Sequence, residues 1–169
     1  MTFKEISIEE LELNPFTKLD KEWALVTAGN RAKSNTMTVS WGGMGVIWNK
    51  NVVTVYIRPQ RYTKEFIDSQ ERFTLSFFAP EYKKDLGVLG RTSGRDLDKV
   101  AQVGFTPAYL EGDVVTYEQA QLVFSCRKLY ADAIKPECFL DGELDVRNYP
   151  EHDYHTLYMG EIEHVYQRI

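Results

Sequence analysis

Asn35-Thr36-Met37-Thr38-Val39-Ser40-Trp41-Gly42-Gly43, followed by Val52-Val53-Thr54-Val55-Tyr56-Ile57-Arg58-Pro59-Gln60-Arg61-Tyr62-Thr63-Lys64, decides how this chain reads. Both runs are rich in β-branched and aromatic residues, the composition of strands. In the first, Thr36, Thr38 and Ser40 share one side of an extended backbone, and Met37, Val39 and Trp41 share the other. The second ends at about Arg58, because Pro59 has no N–H with which to continue a central strand. Residues 62–70 then read as a short helix with Phe66 and Ile67 on its apolar side. Its start gathers Arg61, the Thr63 hydroxyl and unpaired backbone N–H groups, and a helix N-terminus of that kind suits a phosphate. Arginine adds a planar fork that grips phosphate oxygens two at a time. With the hydroxyl-bearing strand and its aromatics, the mixture predicts a planar, anionic, hydrogen-bond-rich ligand. For each piece alone, a Thr-rich outer strand face or a solvated basic turn is the plainer reading.

Around this segment the chain alternates short strands with turns. A lead-in of residues 1–20 ends near Asn14-Pro15, and a first main strand over 23–28 breaks at Gly29-Asn30. Strands are predicted at 35–41, 44–48, 52–58 and 73–78, with Asn49-Lys50-Asn51 as a hairpin link. Helices are predicted at 62–70 and 81–89. Ser93-Gly94-Arg95-Asp96 has the form of a helix start, with Leu97, Val100 and Ala101 as the apolar side and Gly104 as the stop. Later strands cover 120–130 and 154–166, with Gly160 as a bulge or bend. Residues 135–153, rich in Pro, Gly, Asp and Asn, form a long excursion, a feature that is often functional or interfacial. Many strands and few short helices predict a mainly β barrel or sandwich.

A length of 169 residues suits one domain over 1–169, and 13% aromatic residues favour a packed β-rich core. The net charge of −5 excludes a nucleic-acid footprint over the whole surface, and the basic cluster near Arg61 is local against that background. Cys126 alternates with Leu122 and Phe124 and reads as a buried thiol. Neither it nor Cys138 has a Cys-x-x-Cys partner, so a metal or thioredoxin-like site has no support. The N-terminal Glu5, Glu9, Glu10 and Glu12 do not make a signal peptide, and no apolar run approaches a membrane span. The expectation is a cytoplasmic protein with no membrane or nucleic-acid partner.

Other chemistries fit less well. Gly43-Met44-Gly45-Val46-Ile47-Trp48 has Trp where a dinucleotide fingerprint needs its third Gly, and no long helix follows. His152, His155 and His164 lack acidic or Cys partners at ligand spacing and read as ordinary side chains, so no metal site is expected. No Gly-x-Ser-x-Gly is present.

The run 35–43, the Trp48-Asn49-Lys50 turn and Arg58-Pro59-Gln60-Arg61-Tyr62-Thr63 resemble the flavin reductase-like family, its flavoredoxin-type members above all. The likeness continues at residues 73–78, Thr92-Ser93-Gly94-Arg95-Asp96, Asp98-Lys99, Asn148-Tyr149-Pro150, Asp153-Tyr154-His155 and Gly160-Glu161-Ile162, in the family's order. The resemblance implies an FMN-binding split β-barrel with a few short helices. It implies an oxidoreductase with NAD(P)H as transient reductant and a small-molecule or protein electron acceptor. Chemistry then belongs to the flavin, and no side chain need be catalytic. On this basis Asn35, Thr36, Met37, Thr38 and Ser40 bind the ring's polar edge, and Arg58, Arg61, Tyr62 and Thr63 hold the ribityl phosphate. Trp41, Trp48 and Tyr62 are candidates to lie against the ring, with core packing as the plainer reading of each. Ser93 and Lys99 match family positions near the flavin, although Ser93 also serves as a helix cap and Lys99 as a surface residue. The resemblance further implies a homodimer whose interface borders the flavin, reached by the 135–153 excursion. A non-catalytic flavin-binding electron carrier or sensor, and a pyridoxamine-phosphate-oxidase-like enzyme on the same barrel, are the alternatives.

Overall fold

The computed structural model describes residues 3–169. Its ten strands are β1 (Phe3–Ile6), β2 (Ala24–Gly29), β3 (Ser34–Val39), β4 (Gly42–Ile47), β5 (Lys50–Ile57), β6 (Arg72–Phe78), β7 (Pro107–Tyr109), β8 (Val115–Tyr117), β9 (Ala120–Ala133) and β10 (Thr156–Arg168). The helices are short: α1 (Pro15–Thr17), α2 (Tyr62–Ser69), α3 (Lys83–Arg91), α4 (Lys99–Gln102) and α5 (Gly142–Asn148). Among the described residues, no helix is long and apolar enough to cross a membrane.

The main sheet runs β3-β2-β6-β9-β10-β5-β4, antiparallel throughout, and β1 pairs with the end of β10. Only Ser40 and Trp41 separate β3, at one edge, from β4, at the other. Two residues span roughly 10 Å at most, so the sheet must curl until its edges nearly meet. The result is a barrel split along one seam. Tyr56, Ile57 and Arg58 run past the end of the β4–β5 pairing, where Gly42 meets Val55. That leaves β5 open at this end, across the seam from the free edge of β3.

The barrel interior holds Val26, Met37, Val39, Val55, Ile57, Phe73, Leu75, Phe77 and Phe124, with Phe66 and Ile67 of α2 plugging one end. Each such side chain contributes about 1.5–3 kcal/mol by leaving water. A second cluster lies on the other face of β2, where Leu25 packs with Leu86 and Leu89 of α3, Phe105, Tyr117 and Val123. β2 is therefore buried on both faces, which its near-continuous apolar run reflects. Across the outside of β6, β9, β10 and β5, Arg72–Glu163, Glu163–Arg127, Arg127–Glu161 and Glu161–Lys50 form a chain of ion pairs at 2.5–3.0 Å.

Several expectations shift. The β4–β5 turn is Trp48-Asn49, with φ of 52° and 55°, one residue earlier than Asn49-Lys50-Asn51. Two consecutive left-handed residues match the right-handed twist of the strands. The helix expected to start at Ser93 does not form: Ser93 Oγ accepts from Arg95 N at 3.2 Å in a turn, and Asp98 caps the four-residue α4 by accepting from Ala101 N at 3.0 Å. β1, the β7–β8 hairpin and α5 were not expected. Gly160 does lie at a bulge, where the β9 register shifts between Met159 and Gly160. A Cβ there would stand 2.7 Å from the Phe73 ring and 2.9 Å from Cys126 Cβ, so the strand needs glycine for close approach as well.

Candidate functional site

Two cavities of about 270 Å³ each meet at Met37 and Arg61 and form one groove along the seam. The inner one lies at the start of α2. Arg61 is the N-cap, in extended conformation, and no side chain caps the amides of the first turn. Those amides, the Tyr62 ring, Thr63 and Asn35 form one wall, and Ser93, Gly94 and Lys99 form the other. Asn35 Nδ2 donates to Thr63 Oγ1 at 2.8 Å, fixing both buried side chains. A Cβ on Gly94 would fall 2.1 Å from Asn35 Oδ1 and 3.4 Å from the Tyr62 ring, so backbone passes here where no larger residue fits. Arg95 closes the rim: it lies 4.7 Å over the Tyr62 ring, donates to the Gln60 carbonyl at 3.2 Å and pairs with Glu65.

The charge of this cavity comes from Arg61, Arg91 and Lys99. Lys99 is only 4% exposed, and its Nζ donates to the carbonyls of Leu89 (2.8 Å) and Thr92 (3.0 Å). Arg61 donates to the Gly90 carbonyl at 2.9 Å. These acceptors are the last carbonyls of α3 and its C-cap, the negative end of the helix dipole. Partial charges hold Arg61 and Lys99 in place, and among the described residues neither has a carboxylate partner. Burial, then the charge of Arg61, depresses Lys99 to about 8. One ammonium proton and most of the guanidinium donors remain for a ligand. Such a cavity favours an anion.

The outer cavity is lined by Met37 to Trp41 of β3 and its corner, by Tyr56, Arg58 and Arg61, and by His155. As an edge strand, β3 turns alternate N–H and C=O groups away from β2. Arg58 is held at 2.5 Å by Asp153 and donates to the Asn148 carbonyl at 2.9 Å, with its guanidinium 5.2 Å from the Tyr149 ring. It thereby ties the 148–155 segment to β5 and stands outside the inner cavity. His155 shares a hydrogen bond of 2.9 Å with the Tyr149 hydroxyl through Nδ1, and its ring centroid is 5.4 Å from that of Trp41. Burial, then the charge of Arg58, lowers His155 to about 4, so the imidazole is neutral at physiological pH.

Of the expected site residues, Thr36 and the ring candidate Trp48 line neither cavity. The Thr36 hydroxyl contacts that of Thr27 at 2.9 Å and the Val26 carbonyl at 3.1 Å. Thr38 borders the outer cavity, but its hydroxyl donates to the Leu86 carbonyl at 2.5 Å. The hydroxyl side of β3 thus packs beneath α3, and what the groove receives from Thr36 and Thr38 is backbone. Ser40, Trp41 and Arg58 line the outer cavity, Asn35, Tyr62, Thr63, Ser93 and Lys99 the inner one, and Met37 and Arg61 both. Trp48 sits on the outer hairpin turn and touches neither. His155, Tyr56 and Arg91 line the groove without having been expected there. The pairing of Ile57 with Thr156 sets His155 beside Arg58, a contact between distant segments that no local spacing announces. Among the described residues no His, Cys, Asp and Glu cluster is arranged for a metal. Cys126 is buried, which pushes its thiol well up, and Cys138 is exposed and unpaired.

An FMN-binding domain of a flavin reductases-like enzyme from Shewanella baltica OS155 superposes with a TM-score of 0.70 at 16% identity, over 98% of this chain and 77% of the other. A flavoredoxin from Methanosarcina acetivorans gives 0.67 at 22% identity, over 87% and 68%. The flavoredoxin of Desulfovibrio vulgaris (Miyazaki F) gives 0.67 at 23%, over 86% and 69%. At these identities the likeness establishes the fold, a mainly β split barrel. No curated protein matches the chain significantly. The sequence model of the flavin reductase like domain matches residues 17–168. A match over nearly the whole chain places this protein in the flavin reductase-like domain family.

Proposed function

We propose that the groove binds FMN and that the protein is an NAD(P)H-dependent oxidoreductase of the flavin reductase or flavoredoxin type. The observation that carries the reading is the set Arg61, Arg91 and Lys99, three cations with no carboxylate partner among the described residues, beside the uncapped amides of α2 at one end of the groove. A terminal phosphate monoester is the group this donor set suits. The residues present therefore fit FMN: phosphate toward Arg61, Thr63 and Lys99, and ring toward β3, Trp41 and His155. Bound there, FMN supplies a ring that carries electrons between a reduced nicotinamide and an acceptor.

The chain's own part is binding, orientation and shielding. The free edge of β3 offers N–H and C=O groups to a polar ring edge, and the Trp41 and Tyr56 side chains keep water from its flank. His155 stays neutral, with Nδ1 engaged by Tyr149. FMN-loaded protein mixed anaerobically with NADH or NADPH is expected to lose its yellow flavin band within the mixing experiment. A band that persists with both nucleotides would reassign the protein as an electron carrier that is not itself a reductase. An exposed unpaired thiol at Cys138 supports a reducing, cytoplasmic setting.

The pairing of two copies belongs to the same proposal. Val46 and Trp48 on the β4 hairpin are 72% and 57% exposed, and Leu140 and Val146 beside and within α5 are 104% and 76% exposed. Apolar side chains this open invite cover by another chain. Light scattering at micromolar concentration is expected to give about twice the 19.6 kDa chain mass. A monomer that holds FMN tightly removes the dimer and leaves the flavin reading intact.

A further inference from the structure

A third cavity, of about 680 Å³, opens on the far side of the seam corner and shares Ser40, Trp41 and Tyr56 with the groove. Its walls are apolar and aromatic: Phe16 and Leu19 from the α1 region, Trp41, Tyr56, Ile134 and Tyr149. Among the described residues no Lys, Arg or His lines it, in contrast to the groove with its Arg58, Arg61, Arg91 and Lys99. Its single charged residue, Asp20, is exposed and paired with Lys21 at 2.5 Å. The Tyr149 hydroxyl is engaged with His155, whereas that of Tyr56 has no hydrogen-bond partner among the described residues.

This chemistry selects against the acceptors that carry negative charge. A phosphorylated nucleotide or a carboxylate chelate placed here would lose hydration and find no cation in return. A flat, uncharged molecule would lose little, and a carbonyl oxygen on it would meet the Tyr56 hydroxyl as donor. We infer that this cavity takes the electron acceptor, and that the acceptor is a neutral quinone, with Tyr56 as the residue that selects a carbonyl oxygen. The inference rests on the flavin reading for its electrons. Overall, one hydride from a reduced nicotinamide and one proton from water convert the two C=O groups of the quinone into two C–OH groups of the hydroquinone, leaving oxidised nicotinamide. Tyr56 donates a hydrogen bond throughout and loses no proton.

The test uses calorimetry on the full chain, with and without FMN, and two probes. One is tetramethyl-1,4-benzoquinone, whose substituted ring does not add thiols. The other is the same quinone with one methyl replaced by a propionate. Gly43 lines the cavity and lies outside the groove, and a Cβ there meets no atom within 4 Å, so Gly43→Leu adds bulk without a clash. The neutral quinone is expected to bind at least about tenfold more tightly than its carboxylate analogue. Gly43→Leu is expected to weaken it about tenfold while FMN affinity holds within about twofold, and Tyr56→Phe to weaken it about fivefold. Equal binding of the two quinones overturns the inference, and so does a neutral-quinone affinity unmoved by Gly43→Leu, while intact FMN binding in the same samples leaves the flavin reading standing. Quinone binding in a protein that takes up no FMN overturns both the flavin reading and the acceptor role of the cavity.

Discussion

Lys99→Met lowers FMN affinity by about 2–3 kcal/mol at pH 7, the upper part of the range for losing a charge-assisted hydrogen bond. The magnitude follows from burial: Lys99 sits where water screens little, and among the described residues no carboxylate competes for its charge. The same variant changes the pH profile. In the ligand-free chain, burial and Arg61 hold Lys99 down to about 8. A bound phosphate favours the ammonium, so the bound pKa lies above the free one. FMN affinity is therefore complete below about pH 8 and declines as pH rises through the free value toward the bound one. Lys99→Met lacks this decline. For stability the sign is opposite: the unfolded chain holds this proton more tightly, so the ligand-free fold gains stability as pH rises from about 8 to 10.5. Fluorescence titrations with FMN between pH 7 and 9.5 check the affinity profile. A wild-type profile as flat as that of the variant would remove Lys99 from the phosphate site.

Gly94→Ala is expected to weaken FMN about tenfold or more without unfolding the protein. The added Cβ lands 2.1 Å from Asn35 Oδ1, an impossible approach. Asn35 must rotate, and rotation breaks its 2.8 Å bond to Thr63 Oγ1 and moves a side chain into the cavity. A lost buried hydrogen bond and local overpacking together cost about 1–3 kcal/mol. Gly94 lies in a partly exposed turn rather than in either core cluster, so most of that cost falls on the bound state. FMN titration alongside a thermal melt measures both. Unchanged affinity would mean that the Asn35–Thr63 pair does not shape the site.

The parts of this account legible in the sequence are those set by neighbouring residues. Pro59 ends β5, Arg61 and Thr63 then fall at the start of α2, and that juxtaposition needs no tertiary knowledge. The alternation along Thr36 to Trp41 was also readable, but its meaning was not. Thr36 and Thr38 face α3, which arrives from residues 83–91, and their hydroxyls are spent on Val26 and Leu86. Lys99 read equally well as surface. Only the return of the chain beside the C-terminus of α3 buries it. His155 read as ordinary because its partners, Arg58, Trp41 and Tyr149, converge through strand pairing and through the 148–155 segment. Ser93 had the spacing of a helix start, yet its hydroxyl closes a turn and Asp98 does the capping. Local pattern set Arg61 and Thr63 at the start of α2, and topology decided which hydroxyls, cations and rings line the groove there.

The central claim is that Arg61, Lys99 and the start of α2 read a phosphate on a flavin. It is tested most directly by titrating the flavin-free protein at pH 7 with FMN and with riboflavin, which differ only in that phosphate. FMN is expected to bind tighter by about 3 kcal/mol or more, the sum of at least two charge-assisted contacts. Equal affinity for the two flavins would contradict it.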